Sequence, residues 1–160
     1  PPKHWIKFNV NVAFQKDSDT GAIAVIARDS ESKPILGRKM SVKVSSVLMV
    51  EAVAARYALI IARAKRMQNV LTETDDQILN QAVKSKSPIA EILSILQDIW
   101  VILAEIPKAG FTWVLQEGNR LAYELVKTVH PTYWELDFHN DLPGIIQLII
   151  DTEASHINTA

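Results

Sequence analysis

Lys7-Phe8-Asn9-Val10-Asn11-Val12-Ala13-Phe14 alternates apolar and polar side chains. A period of two is the pattern of a half-buried β-strand, and it predicts a first strand from about Ile6 to Phe14. Lys16-Asp17-Ser18-Asp19-Thr20-Gly21 follows as a polar turn. Ala22 to Arg28 reads as a second strand rich in β-formers, Asp29-Ser30-Glu31-Ser32 as another turn, and Lys33 to Val44 as a third strand. Three successive antiparallel strands followed by helices point to a mixed α/β layer.

From about Ser46 the period changes. Met49, Val50, Val53, Ala54, Tyr57, Ala58, Ile60, Ile61 and Ala64 recur at helical spacing, with Glu51, Arg56, Arg63 and Lys65 largely off that stripe. Val70 to Glu73 is a short strand, and Asp75 or Asp76 caps a helix over Gln77 to Val83. Pro88 is expected to open a long helix that Pro107 and Gly110 end. Phe111 to Leu115 gives the last core strand and Arg120 to Thr128 the last core helix. The expected division is a core over 1–130 and an extension over 131–160, whose apolar segment Leu142 to Ile150 packs back on the core as a helical tail.

Composition bounds the reading. The chain has 160 residues, 48% hydrophobic and 22% charged, which are values for one globular domain and not for a disordered one. Cysteine is absent, which removes disulfides, thiolate metal sites and cysteine nucleophiles. No apolar run is long enough to span a bilayer and the N-terminus shows no signal-peptide pattern. No membrane is expected, and the location is expected to be intracellular, nuclear or cytoplasmic. Pro1 in place of methionine suggests a domain cut from a longer chain. The formal net charge of −1 argues against strong, sequence-blind binding to nucleic acid, which draws on a basic excess. The candidate phosphate contacts are Arg56, Arg63, Lys65, Arg66, Lys84 and Lys86. A solvated face, or charge favourable at a helix C-terminus, is the simpler account of them.

Several short motifs, in order along the chain, carry a resemblance. Lys7-Phe8-Asn9-Val10 leads into Asn11-Val12-Ala13; Ile26-Ala27-Arg28-Asp29 closes the second strand; Glu51-Ala52 lies on the first helix; Glu73-Thr74-Asp75 follows the fourth strand. Gln116-Glu117-Gly118-Asn119-Arg120-Leu121-Ala122-Tyr123-Glu124-Leu125-Val126 opens the last helix, and Trp134, Leu142-Pro143 and Leu148 to Asp151 mark the tail. Together these resemble the ribonuclease H domains of plants, of the type found in plant non-LTR retroelement reverse transcriptases. The resemblance implies a ribonuclease H-like fold, a five-stranded mixed sheet flanked by helices. It also implies a site of four carboxylates holding two metal ions. Glu51 and Asp75 stand at two of the four places, while Asn11 and Tyr123 stand where the family has aspartates. Val12, Ala22, Ala24 and Ser32 stand where it has glycines.

Two divalent ions held roughly 3.5–4 Å apart need several anionic oxygens to offset their mutual repulsion. An Asn11 amide is neutral and offers one ligating oxygen, so it cannot bridge two metals as a carboxylate does. Tyr123, with an ordinary pKa near ~10, is uncharged at neutral pH. Glu73 and Asp76 flank Asp75 and could each lend an oxygen; Glu124 is one helical step from Tyr123 and points elsewhere. The expectation is a nuclease fold without its nuclease: no cofactor, with Mg²⁺ or Mn²⁺ at Glu51 and Asp75 only where activity survives. Asn11 is expected to hydrogen-bond the remaining carboxylates in a structural polar cluster.

Three functions follow. The first is binding of an RNA–DNA hybrid or RNA without cleavage. The second is a protein-interaction or homodimer module, using the Pro88–Ile106 helix or the 142–150 segment. The third is residual metal-dependent cleavage. His4, His130, His139 and His156 have no metal-ligand spacing, and Asp137 to Asp141 reads as a loop. Trp5, Trp100, Trp113 and Trp134 are expected in the core rather than as a base-stacking platform.

Overall fold

The alternation in the first strand sorts its side chains onto two different faces. In the computed structural model, which describes residues 3–127 and 133–134, β1 spans Ile6–Gln15, β2 Thr20–Arg28 and β3 Pro34–Lys43, joined as antiparallel neighbours. Then come α1 (Val47–Ala64), β4 (Asn69–Thr74), α2 (Gln77–Ser85), α3 (Leu93–Glu105), β5 (Lys108–Trp113), α4 (Arg120–Lys127) and β6 (Tyr133–Trp134). The strand order is β5-β4-β1-β2-β3-β6, with β4 parallel to both β1 and β5. The expected five-stranded mixed sheet is therefore present, and its order is that of three antiparallel and two parallel strands.

Phe8 and Val10 face α1, where Ile23, Val25, Val50, Ala54, Ala58 and Leu59 complete a fully buried core. α1 starts at Ser46, whose Oγ accepts the Met49 N–H at 3.1 Å, and its alanines let it lie close on the sheet. α3 packs beside it through Ile95, Leu96, Ile99 and Ile102. On the opposite face α4 covers Ala24 and Ile26 with Leu121, Ala122, Leu125 and Val126. Asn9 and Asn11 lie on this second face, opposite Ile26 and Ala24 in register. Ala24, which stands where the resemblance implies glycine, is completely buried there.

Three boundaries differ from expectation. Pro88 does not open an α-helix; it lies in an exposed loop, a 3₁₀ turn at Ala90–Ile92 follows, and the α-helix begins at Leu93. Gly110, expected beyond a helix end, sits inside β5, which starts at Lys108 because Lys108 N–H reaches Gln68 O at 2.9 Å and the strand then pairs along β4. A Cβ on Gly110 would stand 2.9 Å from Leu71 Cδ1, the end of a flexible side chain on its β4 partner, so a larger residue there would require that leucine to turn aside. The extension adds a short strand outside the expected elements: Tyr133 and Trp134 pair with Arg38 and Gly37 on β3. The 137–141 loop and the 142–150 segment lie outside the described residues.

The turn after β2 holds one of the positions at which the resemblance implies glycine. Asp29 Oδ1 accepts the N–H groups of Glu31 and Lys33, both at 2.9 Å, and Ser32 is held at φ 64°. A left-handed residue other than glycine costs about 1–2 kcal/mol, against glycine's extra chain entropy of about 0.5–1 kcal/mol. Ser32→Gly is therefore expected to raise stability by about 0.5–1 kcal/mol, read as a higher urea midpoint at unchanged slope. No gain would mean that the loop relaxes without strain.

Candidate functional site

The parallel pairing of β1 with β4 sets Asn9 opposite Glu73. Two residues further along, Asn11 on β1 meets Asp75, the second residue after Glu73. Asn11 Nδ2 donates to Asp75 Oδ2 at 3.3 Å, a long bond between a buried amide and a half-buried carboxylate. Glu51 enters from the other side of the sheet, on the second turn of α1, and is 6% exposed. The structure thus brings together Asn11, Glu51 and Asp75 at the end of β4 and the start of α1. The bond from Asn11 to Asp75 is the part of the expected polar cluster that the structure shows; none runs from Asn11 to Glu51 Oε2.

Burial, with the charges of Asp75 and then Asp76 close by, pushes the Glu51 carboxyl from 4.5 up to about 8, against a lowering hydrogen bond from the Thr74 side chain. Its Oε2 is buried with no hydrogen-bond partner among the described residues, an arrangement that suits a neutral acid better than an anion. Burial also raises Asp75, helped by the charge of Asp76 and opposed by a backbone N–H bond.

The neighbours that could have lent oxygens are engaged. Asp76 caps α2, its Oδ1 accepting Leu79 N–H at 2.7 Å; the cap is Asp76, and Asp75 is left for the site. Glu73 Oε2 accepts from Asn9 Nδ2 at 2.7 Å and lies 3.5 Å from Lys7 Nζ. Tyr123 is half-buried on α4, with Lys127 Nζ 3.8 Å from its ring centre, a cation–π contact one helical turn on.

The described residues contain no group of three or more His, Asp or Glu side chains placed to hold a metal ion. The donor set at the site is two carboxylates and one neutral amide that points its N–H at one of them. This does not fit a pair of divalent ions, which require more anionic oxygen than the three side chains offer.

The basic candidates lie elsewhere. Arg56 Nη1 pairs with Asp98 Oδ2 and Arg63 Nη1 with Glu105 Oε2, both at 2.9 Å, across α1 and α3. Lys65 and Arg66 are exposed past the end of α1, about 20 Å along the helix from Glu51 at 1.5 Å per residue. Lys84 and Lys86 are exposed at the far end of α2, about 12–15 Å from the Asp76 end by the same measure. These six do not converge on the carboxylates.

Two further residues build the site. Trp113, read from sequence as core, donates its indole Nε1–H to Asp75 O at 3.1 Å and so holds the loop that carries Asp75. Its opposite number in register is Thr74, a pairing no local pattern reveals. Asn119, fully buried, donates through Nδ2 to Val10 O and ties the start of α4 to the strand beside Asn11. Its place in the last sequence motif was the available signal.

Glu51 has a consequence for stability. A carboxyl whose folded pKa lies above its unfolded value favours folding below the unfolded pKa, and that contribution is lost as pH rises toward the folded pKa. Stability is therefore expected to fall between pH 4.5 and about 8 through Glu51. Glu51→Gln should remove this slope and be more stable than wild type near pH 9 by on the order of 2–4 kcal/mol. Urea denaturation of both proteins across that range checks it; parallel curves would show that Glu51 titrates as it does in water.

The chain matches the family described as reverse transcriptase-like over residues 9–129. No curated protein sequence matches it. Among solved structures it resembles the N-terminal RNase H domain of Rv2228c from Mycobacterium tuberculosis (TM-score 0.69, 10% identity, covering 76% of this chain and 90% of that one). It likewise resembles RNase H1 from the archaeon Halobacterium salinarum (TM-score 0.64, 14% identity, 76% and 93% covered). A third is LC11-RNase H1, isolated from compost and solved with an RNA/DNA hybrid (TM-score 0.67, 16% identity, 76% and 93% covered). At these identities the likeness establishes the fold. With the family match spanning most of its length, the chain belongs to the reverse transcriptase-like family and is a ribonuclease H-like domain.

Proposed function

We propose that this domain engages an RNA–DNA hybrid or structured RNA without cutting it. The observation that carries the reading is the Asn11 Nδ2 to Asp75 Oδ2 hydrogen bond at 3.3 Å. An amide N–H is directed at an oxygen that a metal ion would otherwise use, and the residue providing it brings no charge of its own. Family membership and the RNA/DNA hybrid bound by LC11-RNase H1 support nucleic acid as the partner class. The order of the motifs, with their plant-type wording, supports descent from a retroelement reverse transcriptase. The wide separation of the basic side chains and the net charge of −1 support modest, salt-sensitive affinity.

The test is one assay with a labelled RNA–DNA hybrid, with and without Mn²⁺. Wild type is expected to bind less tightly as salt rises and to leave the hybrid intact. The double variant Asn11→Asp with Tyr123→Asp, which supplies four carboxylates with Glu51 and Asp75, is expected to gain metal-dependent cleavage at least about tenfold above wild type. Cleavage by wild type that Asp75→Ala abolishes would overturn the non-cutting reading. Neither binding nor cleavage would transfer the role to a protein partner.

A further inference from the structure

The outer face formed by α1 and α3 has a layered order that the site does not use. Arg56 lies across from Asp98 and Arg63 across from Glu105, with Ile60 and Val101 between the two ion pairs. Each step is seven residues on both helices, so α1 and α3 run in the same direction, with pairs about 10 Å apart. Ile60 is 38% and Val101 55% exposed, over a floor formed by the buried Ile102 in a groove of about 330 Å³. Ala64 and Ala104, both exposed, keep the rim low enough for close approach. No described element covers this face.

Its charges are arranged to fit themselves. The basic row is on α1 and the acidic row on α3. A two-fold axis parallel to the helices lays α1 of one copy on α3 of the other. Arg56 then meets the second copy's Asp98, Ile60 its Val101 and Arg63 its Glu105, all three layers matching together. A two-fold axis across the helices would instead set Arg56 against Arg63 of the other copy, which repulsion disfavours. Each internal bridge runs from Nη1 alone to one carboxylate oxygen. The guanidinium fork and the second carboxylate oxygen keep capacity for a second partner. We propose that this face joins two copies of the chain as an isologous dimer, with α1 opposite α3.

The part of α1 that runs beside α3 matches its length of about 20 Å, and two helices roughly 8–10 Å apart make a patch at the small end of specific interfaces. A patch of this size points to a weak, reversible dimer. Sedimentation of the purified chain from about 1 to about 100 µM tests it. A monomer–dimer equilibrium is expected, weakened by salt. Val101→Asp, at an exposed position that leaves the core untouched, is expected to weaken it at least tenfold. Arg63→Glu and Glu105→Arg should each do the same alone. Mixed in equal amounts they should recover association, because every cross-copy pair is then opposite in charge. A monomer throughout, or a dimer indifferent to Val101→Asp and to mixing, would overturn the proposal.

Discussion

One buried hydrogen bond holds the register on which the site depends. Asn9 on β1 and Glu73 on β4 are 64 residues apart in sequence, and the 2.7 Å bond between them, with Lys7 close to the same oxygen, pins the two parallel strands. Side chains alternate along a strand, so a slip of one residue would turn every β1 side chain to the opposite face. Phe8 and Val10 would then leave the core and Asn9 and Asn11 would enter it. A buried carboxylate left without its partners would also carry a desolvation cost of several kcal/mol. Packing and polar satisfaction therefore select the same register, and that register delivers Asn11 to Asp75.

The site at the end of this pairing has to manage anionic groups in a poorly solvated place. Asp75, Asp76 and Glu51 crowd one corner, and each carboxylate makes the ionisation of its neighbours harder. The chain relieves the crowding locally. Asp76 is held by the first turn of α2, Asp75 accepts the Asn11 amide, and Glu51 retains its proton to about pH 8. Trp113 and Asn119 then fix the backbone on either side, one through the carbonyl of Asp75 and the other through that of Val10. The geometry belongs to the ribonuclease H-like fold, while the charge balance belongs to this sequence.

Positive charge is distributed on a different principle. Arg56 and Arg63 are satisfied by acids on α3, and Lys65, Arg66, Lys84 and Lys86 gather at helix C-termini, where cations are favoured by the helix dipole. The fold thus separates a carboxylate corner at one end of α1 from basic ends at the other. The α1–α3 face between them is ordered in alternating polar and apolar layers, so the two proposed roles of the domain draw on different surfaces.

Much of the architecture was readable in advance. The period of two in β1, the period of 3.6 from Val47 onward and the turn at Asp29–Ser32 are local signals, set by neighbours within a few residues. The ordered motifs set Asn11, Glu51, Asp75 and Tyr123 in one family pattern. What the sequence left open was pairing at a distance. Whether Asp75 or Asp76 caps α2, where the indole of Trp113 points, which acids neutralise Arg56 and Arg63, and that Gly110 lies within a strand all depend on contacts between separate elements. So does the ionisation of Glu51. A carboxyl's pKa is set by the water it loses and the charges it meets, and only the folded chain decides both.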